Sequence, residues 1–329
     1  MSALTLSMPP EWAPHERTVI CWPVRDDLWG SHRAEAEAAH AALARTISGY
    51  EPVTMIAEPE AVARARAACG DAVEVIGIPI DDSWFRDTGP VYVVGDGRRV
   101  GTAWRFNAWG GKFHPYDDDA RVACAWLDHA RHEARTVDMV LEGGSVHVDG
   151  AGTIVTTEQC LLHPNRNPDL DRAAIERRLL AELGQSRVVW LPHGLALDDG
   201  TDGHVDNVAS PLAPGVLAMQ GCDDPAEPDH GRMRANAEVA RRAGLEVREV
   251  PMLPFSTHGG RRAPVPYLNF YFVNGAVIVP TCGHPADADM LALIGEWVPG
   301  RDVVGLDVGA ILAYGGGGIH CITQQVPAA

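Results

Sequence analysis

The last structured stretch predicted in the chain is Gly315-Gly316-Gly317-Gly318-Ile319-His320-Cys321-Ile322-Thr323-Gln324-Gln325. Four consecutive glycines remove every side chain from one segment and allow backbone angles that other residues avoid. A single cysteine follows, and the β-branched residues around it favour a strand. This pattern predicts a thiol that a small planar substrate can approach closely. The alternative is a glycine-rich loop beside a cysteine that serves only packing.

Upstream of this stretch the sequence predicts a repeated order of hairpin, helix and strand. Turn signals mark three of the hairpins: Asp96-Gly97, Asp149-Gly150 and Asn274-Gly275. Polar or reactive residues precede the hairpins at similar points, namely Asp87, Glu142, His204 and Cys321. Their separations are 55, 62 and 117 residues, and the last is close to two units, which places a further landmark near Tyr267.

A period of about 60 residues over 329 predicts five units. The terminal strands resemble the two halves of one unit, so we expect the units to close into a ring. The marked residues then converge on the central axis. An ordinary α/β fold with irregular hairpins is the alternative. No linker is visible, so residues 1–329 are expected to form a single catalytic domain.

Composition excludes several classes of protein. The net charge of −17 argues against nucleic-acid binding, which depends on Lys and Arg, and favours attraction of cations. No apolar run approaches the roughly 18 residues that span a bilayer. Residues Met1–Pro10 lack the charged start and apolar centre of a signal peptide. Seven widely spaced cysteines with no CxxC pair suit a reducing cytoplasm.

Three further stretches carry candidate chemistry. Asp87 follows Trp84, and Glu142 ends an apolar strand immediately before two glycines. His204 and Asp206 are two residues apart, so on a strand they share one face. Each stretch alone is compatible with a turn or a solvated strand edge. A metal pair is a further alternative for the histidine and aspartate, but no third ligand has a recognisable spacing.

Together these stretches supply a thiol, an imidazole and three carboxylates. Carboxylates near a thiolate are unfavourable unless a cationic substrate neutralises them, and a guanidinium matches two carboxylates bidentately. Asp87 and Asp206 are therefore predicted to hold a guanidinium over Cys321. His204 is predicted to protonate the departing nitrogen and later to deprotonate water.

At these residues the chain resembles the agmatine deiminase family, which belongs to the guanidino-modifying enzymes of the pentein fold and includes Porphyromonas-type peptidylarginine deiminase relatives. The likeness covers nearly the whole chain. Its motifs are Met8-Pro9-Pro10-Glu11-Trp12, Pro14-His15-Glu16, Trp84-Phe85-Arg86-Asp87-Thr88-Gly89-Pro90, Phe106-Asn107-Ala108-Trp109-Gly110-Gly111-Lys112, Glu142-Gly143-Gly144-Ser145, Asn165-Arg166-Asn167-Pro168, Asp202-Gly203-His204-Val205-Asp206-Asn207 and Ile319-His320-Cys321-Ile322-Thr323-Gln324-Gln325.

The resemblance implies a five-bladed pseudo-symmetric α/β propeller of ββαβ units. It implies conversion of agmatine and water to N-carbamoylputrescine and ammonia, within putrescine biosynthesis, without a metal or organic cofactor. Cys321 is then the nucleophile that forms a covalent amidino intermediate, and His204 is the general acid and base. Glu142 partners His204 and the guanidinium. Asp87 and Asp206 hold the guanidinium, Trp84 and Trp109 flank the aliphatic chain, and a homodimer is expected.

The chain departs from the family pattern at three places. Gly318 replaces a typical Asn, Val326 replaces a typical Gln, and residues Leu195–Thr201 are divergent. All the predicted catalytic residues are retained. The departures lie where the far end of a substrate could be recognised.

Three alternative functions follow. Another guanidino compound, such as free or peptidyl arginine, needs a cationic partner for its carboxylate, for which Arg261-Arg262 is a candidate. An amidinotransferase shares the thiol and the covalent intermediate but passes the amidino group to an amine. A non-catalytic propeller only binds partners, and retention of the polar site residues disfavours it.

Overall fold

The computed structural model describes residues 6–329. The first half of the segment Met1–Pro10 therefore lies outside the described residues. Within the described part of the chain, no helix is long and apolar enough to cross a membrane.

Eighteen strands are present in residues 6–329. They are β1 His15–Cys21, β2 Val53–Ala57, β3 Val73–Gly77, β4 Val91–Gly95, β5 Arg98–Arg105, β6 Glu133–Val140, β7 Val146–Val148, β8 Thr153–Thr157, β9 Arg187–Leu191, β10 Ala209–Ala213, β11 Val216–Gln220, β12 Glu246–Val250, β13 Phe255–His258, β14 Arg261–Pro264, β15 Tyr271–Val273, β16 Ala276–Thr281, β17 Asp302–Asp307 and β18 Thr323–Pro327.

Twelve α-helices accompany these strands in the same described range. They are α1 Asp26–Trp29, α2 Arg33–Ser48, α3 Val62–Cys69, α4 Phe85–Thr88, α5 Ala108–Gly111, α6 Asp119–Ala130, α7 Glu158–Leu161, α8 Arg172–Leu183, α9 Asp229–Arg242, α10 Asp287–Trp297, α11 Gly309–Gly315 and α12 Ile319–Ile322. Short 3-10 turns lie at Gly30–His32, Pro59–Ala61, Gly143–Ser145 and Val205–Asn207.

Five of the sheets share one pattern. In four of them an antiparallel pair is extended by a parallel strand, with orders β4-β5-β6, β7-β8-β9, β10-β11-β12 and β15-β16-β17. A helix precedes the parallel strand each time, which gives a ββαβ unit. Strands β13 and β14 form a separate two-stranded hairpin.

The fifth sheet has the order β18-β1-β2-β3 and joins the two ends of the chain. Strand β18 pairs antiparallel with β1, and β1 pairs parallel with β2. The expectation that the terminal strands are halves of one unit is thus confirmed. No single sheet closes on itself among the described strands, so the arrangement of the five sheets around an axis stays a prediction.

Two of the longer helices have ends that local conformation explains. Helix α6 ends at Ala130, because Arg131 adopts a left-handed conformation with φ of 56°. Helix α8 begins at Arg172, where the Asp171 side chain accepts a hydrogen bond from the Ala174 backbone N–H.

The central strands are covered on both faces. Every residue of β2 and β8 is buried, as is typical of strands that lie between layers of helix and loop. Helix α2 packs Leu43 and Ile47 against the β18-β1-β2-β3 sheet. Each such side chain contributes roughly 1.5–3 kcal/mol by leaving water. This hydrophobic core extends to Trp84 and Cys321, so the candidate site is anchored on a rigid layer.

Candidate active site

Each predicted polar residue lies immediately before the first strand of its unit. Asp87 precedes β4, Glu142 precedes β7, His204 and Asp206 precede β10, and Cys321 precedes β18. The expectation that His204 and Asp206 share a strand face was wrong, because Val205–Asn207 forms a 3-10 turn and β10 begins only at Ala209. The strand predicted around Cys321 likewise begins at Thr323, after the helical turn Ile319–Ile322.

Cys321 is buried and lies between an aspartate and an asparagine. Its Sγ is 3.4 Å from Asp206 Oδ2, the acceptor of the thiol hydrogen bond. The Asn269 amide donates to Sγ at 3.3 Å. Burial raises the pKa of the Cys321 thiol well above its ordinary range, and the charges of Asp206 and Asp87 raise it further. The thiol is therefore protonated at neutral pH while the site holds no cation.

Asp206 belongs to a buried chain of ionic contacts. His320 Nδ1 lies 2.9 Å from Asp206 Oδ2, and His320 Nε2 lies 2.8 Å from Glu11 Oε2. Arg86 also contacts Glu11, at 3.2 Å. Although burial and the Arg86 charge oppose it, Glu11 and Asp206 raise the pKa of His320. Burial disfavours the Asp206 carboxylate, but its contact with His320 outweighs this and lowers the pKa of Asp206. Asp206 is thus held as an anion.

His204 is fully buried between two carboxylates. Its Nδ1 is 3.7 Å from Asp87 Oδ2, and its Nε2 is 3.9 Å from Glu142 Oε2. Burial opposes the charged imidazole, but the Asp87 charge and Glu142 outweigh it and raise the pKa of His204 well above its ordinary value. Arg166 donates to Glu142 Oε1 at 2.7 Å. Despite burial, this guanidinium lowers the pKa of Glu142.

Asp87 is fixed by two donors. Its Oδ2 accepts from Trp109 Nε1 and its Oδ1 from the Gly144 backbone N–H, both at 2.9 Å. Burial raises the pKa of Asp87, and the neighbouring acidic groups add to this effect. A Cβ at Gly144 would lie 2.7 Å from His204 Nδ1 and 2.9 Å from both Asp206 Oδ2 and Asp87 Oδ1. These three side chains therefore converge on one point, which only glycine leaves open.

Four buried polar atoms of the candidate site have no hydrogen-bond partner within residues 6–329. They are Glu142 Oε2, both ring nitrogens of His204, and Asp206 Oδ1. Buried polar atoms are ordinarily paired, because leaving one unpaired costs about 1–3 kcal/mol. They therefore leave hydrogen-bonding capacity that a polar ligand can complete.

A cavity leads to the thiol. Trp84, Asp87, Trp109 and Cys321 line it together, and Arg261 also contributes to its wall. Its atom-free space is about 520 Å³, part of which is open to solvent. The Trp109 backbone has a left-handed φ of 52°, which places the indole over Asp87.

Gly317 has a packing role, while close approach of a substrate along the glycine run stays a prediction. A Cβ there would lie 2.5 Å from the Trp84 ring and 3.0 Å from the Cys321 Cβ. The bare backbone therefore lets the indole and the cysteine occupy the same wall of the cavity.

The structure brings together all the predicted residues, and it adds others that the sequence analysis had not assigned. In the β15-β16-β17 unit, Asn269 lies just before the first strand, as Asp87, Glu142 and His204 do in their units. It is close in sequence to the landmark expected near Tyr267. It was missed because an amide is not reactive. His320, Glu11 and Arg166 were quoted within motifs, but nothing in their spacing revealed their contacts.

The metal alternative has a specific geometric counterpart. Glu142, Cys160 and His204 each offer a ligand atom, and these atoms lie within 4.8 Å of one another. However, the Arg166 guanidinium already bonds Glu142, and burial raises the pKa of the Cys160 thiol. A cation next to a fixed guanidinium and a protonated thiol is unfavourable, so these residues fit a metal poorly.

Known proteins resemble this chain along nearly its full length. An agmatine deiminase of Stutzerimonas stutzeri is 41% identical, over 98% of this chain and 95% of that protein. The solved agmatine deiminase of Enterococcus faecalis superposes with a TM-score of 0.94 at 32% identity, over 98% of this chain and 96% of that one. A Campylobacter jejuni agmatine deiminase with substrate bound gives 0.93 at 26% identity, over 100% and 98% of the two chains.

The solved agmatine deiminases share the α/β fold described above. The model of the Porphyromonas-type peptidyl-arginine deiminase family matches residues 7–327. The chain therefore belongs to the Porphyromonas-type peptidyl-arginine deiminase family.

Proposed function

We propose that this protein hydrolyses a guanidino group, with agmatine and water giving N-carbamoylputrescine and ammonia. The observation that carries the proposal is the set of unpaired acceptors on Glu142 and Asp206 around His204, beside the Cys321 thiol. A guanidinium presents several N–H donors in one plane, and carboxylates accept from such donors in pairs. The relatives named as agmatine deiminases support the choice of substrate.

Charge balance explains why the substrate is a cation. Four buried carboxylates, those of Glu11, Asp87, Glu142 and Asp206, surround the site. Arg86 and Arg166 supply two fixed positive charges, and His320 and His204 add the rest only when protonated. A guanidinium that binds here supplies the positive charge that protonated His204 otherwise provides. The His204 proton is then available for the leaving group.

In this proposal Asp87 and Asp206 hold the guanidinium, and the indoles of Trp84 and Trp109 flank the aliphatic chain. Both indoles line the cavity that ends at Cys321, which supports this role. The bound cation lowers the thiol pKa because it offsets the two aspartates that raise it. Sγ then loses its proton to solvent and attacks the guanidinium carbon, while Asp206, whose Oδ2 lies 3.4 Å from Sγ, stays ionised and holds the substrate.

His204 next protonates one nitrogen, and the C–N bond breaks to release ammonia and leave a positively charged amidino group on Cys321. The neutral imidazole removes a proton from water as the water oxygen attacks the same carbon. The C–S bond breaks, the hydroxyl proton of the intermediate passes to the released ammonia, and the ureido product leaves. The thiolate then takes back the proton that it had given up. Overall, one guanidinium and one water give one ureido group and one ammonium ion.

A second candidate substrate bears a carboxylate at its far end, as arginine does. The observation that favours it is Arg261, which lines the cavity wall. A guanidinium there attracts a carboxylate and repels the terminal amine of agmatine. Arg262 does not share this position, because it pairs with Glu227 on the surface.

An ammonia-release screen tests the proposed function. The compounds are agmatine, arginine, peptidyl arginine, guanidinobutyrate and methylated arginines, and ornithine or glycine is added as an acceptor to detect amidino transfer. We expect agmatine to have the highest kcat/KM and no transfer product. Higher kcat/KM for arginine would select the second candidate. A folded protein that releases ammonia from none of these compounds would refute the proposal.

The raised pKa of Cys321 predicts slow alkylation of the free enzyme. A group whose pKa is raised stays protonated to higher pH, and only the thiolate reacts. Iodoacetamide should therefore label Cys321 more slowly at pH 7 than it labels the exposed Cys124, and the rate should keep rising above pH 9. Peptide mass spectrometry resolves the two sites. A Cys321 rate that levels off below pH 8 would contradict the burial argument.

We also propose that the five sheets surround one axis as a five-bladed propeller, and that residues 1–329 form one catalytic domain. The shared ββαβ pattern and the β18–β1 pairing support this arrangement. A homodimer, a cytoplasmic location and a place in putrescine biosynthesis stay predictions. Sedimentation analysis tests the dimer.

A further inference from the structure

A cluster of metal-ligating side chains lies outside the candidate active site. His32 and Glu35 come from the start of α2 and the turn before it, and His258 comes from the end of β13. His258 Nε2 lies 3.1 Å from His32 Nδ1 and 3.1 Å from Glu35 Oε2. His32 Nδ1 is 3.5 Å from the same Glu35 oxygen. The three ligand atoms therefore form a nearly equilateral triangle.

These separations match a tetrahedral metal. Zn²⁺ binds imidazole nitrogen and carboxylate oxygen at about 2.0–2.2 Å, which places neighbouring ligand atoms about 3.3–3.5 Å apart. We propose that His32, Glu35 and His258 form a binding site for a divalent transition metal of the Zn²⁺ class. Two imidazoles and a carboxylate favour such an ion over Mg²⁺ or Ca²⁺, which prefer oxygen ligands.

The surroundings hold the ligands in place while leaving room for a further one. The Tyr314 ring lies 4.9 Å from the His32 ring and 5.4 Å from the His258 ring, measured between centroids. The side chains of His32, Glu35 and His258 are 28%, 50% and 22% exposed. A metal can therefore enter from solvent, and water can occupy the fourth coordination position.

The site has a consequence for the cavity. His258 pairs in register with Arg261 across the β13–β14 hairpin, and Arg261 lines the cavity and donates to the Tyr314 carbonyl at 3.1 Å. A metal that joins His258 to His32 and Glu35 fixes this hairpin to α2. The wall that receives the far end of the substrate is thereby fixed as well.

Metal titration of the full-length protein tests the proposal. Cys321→Ala serves as the background, because the thiol could itself bind zinc. After chelator treatment, Zn²⁺ is titrated by calorimetry and Co²⁺ by absorption. We expect one Zn²⁺ per chain, and affinity lower by at least about tenfold in His258→Ala and in His32→Ala. His129→Ala is the matched control, since His129 is an exposed histidine on α6.

Two readouts separate this site from others. The Co²⁺ spectrum should lack a thiolate charge-transfer band, because all three ligands are nitrogen or oxygen. Glu35→Gln keeps a hydrogen-bonding side chain of the same size and should also weaken Zn²⁺ binding. We expect Zn²⁺ to raise the melting temperature of the His129→Ala control but not that of Glu35→Gln. Absent Zn²⁺ binding, or affinity that is the same in the control and the cluster variants, overturns the proposal and leaves a hydrogen-bonded cluster only.

Discussion

Cys321→Ala is expected to abolish ammonia release, with a loss of at least about 10⁴-fold in kcat. The substitution removes the atom that forms the covalent bond to the guanidinium carbon, and no other thiol lines the cavity in the described part of the chain. Asp87, Asp206 and the two indoles are untouched, so substrate should still bind. Removing the thiol also takes away a polar group that burial disfavours, so the fold is expected to be stable.

The measurement pairs turnover with calorimetric titration of agmatine. Cys282→Ala is the control, because Cys282 is half-buried and lies at the edge of a small separate cluster. The control should turn over normally, and Cys321→Ala should bind agmatine without releasing ammonia. Turnover within tenfold of the unmodified protein would show that the thiol is not the nucleophile.

The sequence allowed the units and the reactive residues to be predicted because both depend on local patterns. Turn signals such as Asp96-Gly97 indicate hairpins because a tight two-residue turn requires positive φ, which these residue types tolerate. Asp96 and Gly97 indeed have φ of 52° and 70°. The period of about 60 residues then placed Asp87, Glu142, His204 and Cys321 at equivalent points. If repeated units pack in the same orientation, their equivalent residues lie on the same side. The four side chains were therefore expected to lie close together.

The supporting contacts could not be predicted in the same way. His320 joins Asp206 to Glu11, which are 195 residues apart along the chain, and no spacing links them. Asn269 contacts Cys321 through its amide, a group with no intrinsic reactivity to single it out. The wrong strand assignment at Val205–Asn207 has a related cause. Alternation of two residues resembles a strand, whereas a tight turn there presents His204 and Asp206 from one loop.

The contrast between Asp206 and Asp87 follows from their partners. Asp206 contacts His320 at 2.9 Å, whereas Asp87 accepts from two neutral N–H donors and has His204 only at 3.7 Å, with other acids nearby. Asp206 is therefore the more secure anion of the pair. It also raises the pKa of the neighbouring thiol, so its charge attracts the substrate and at the same time restrains the nucleophile until the substrate arrives.

Asp206→Asn is expected to change two measurements in opposite directions. The variant keeps the side-chain shape but removes the charge, and loss of one partner from a buried ion pair costs about 3–5 kcal/mol. We therefore expect kcat/KM for agmatine to fall by about 10²- to 10³-fold, with a higher KM. Alkylation of Cys321 by iodoacetamide at pH 7 should become faster, because one of the two charges that raise the thiol pKa is gone.

Asp138→Asn is the matched control, since the Asp138 side chain is 85% exposed and pairs only at the surface with Arg105. It should leave both measurements unchanged, because an exposed ion pair contributes little. The opposite signs expected for Asp206→Asn distinguish an electrostatic role from general damage to the site, which would slow turnover without activating the thiol. Unchanged kcat/KM would remove Asp206 from substrate binding, and slower alkylation would show that its charge does not control the thiol.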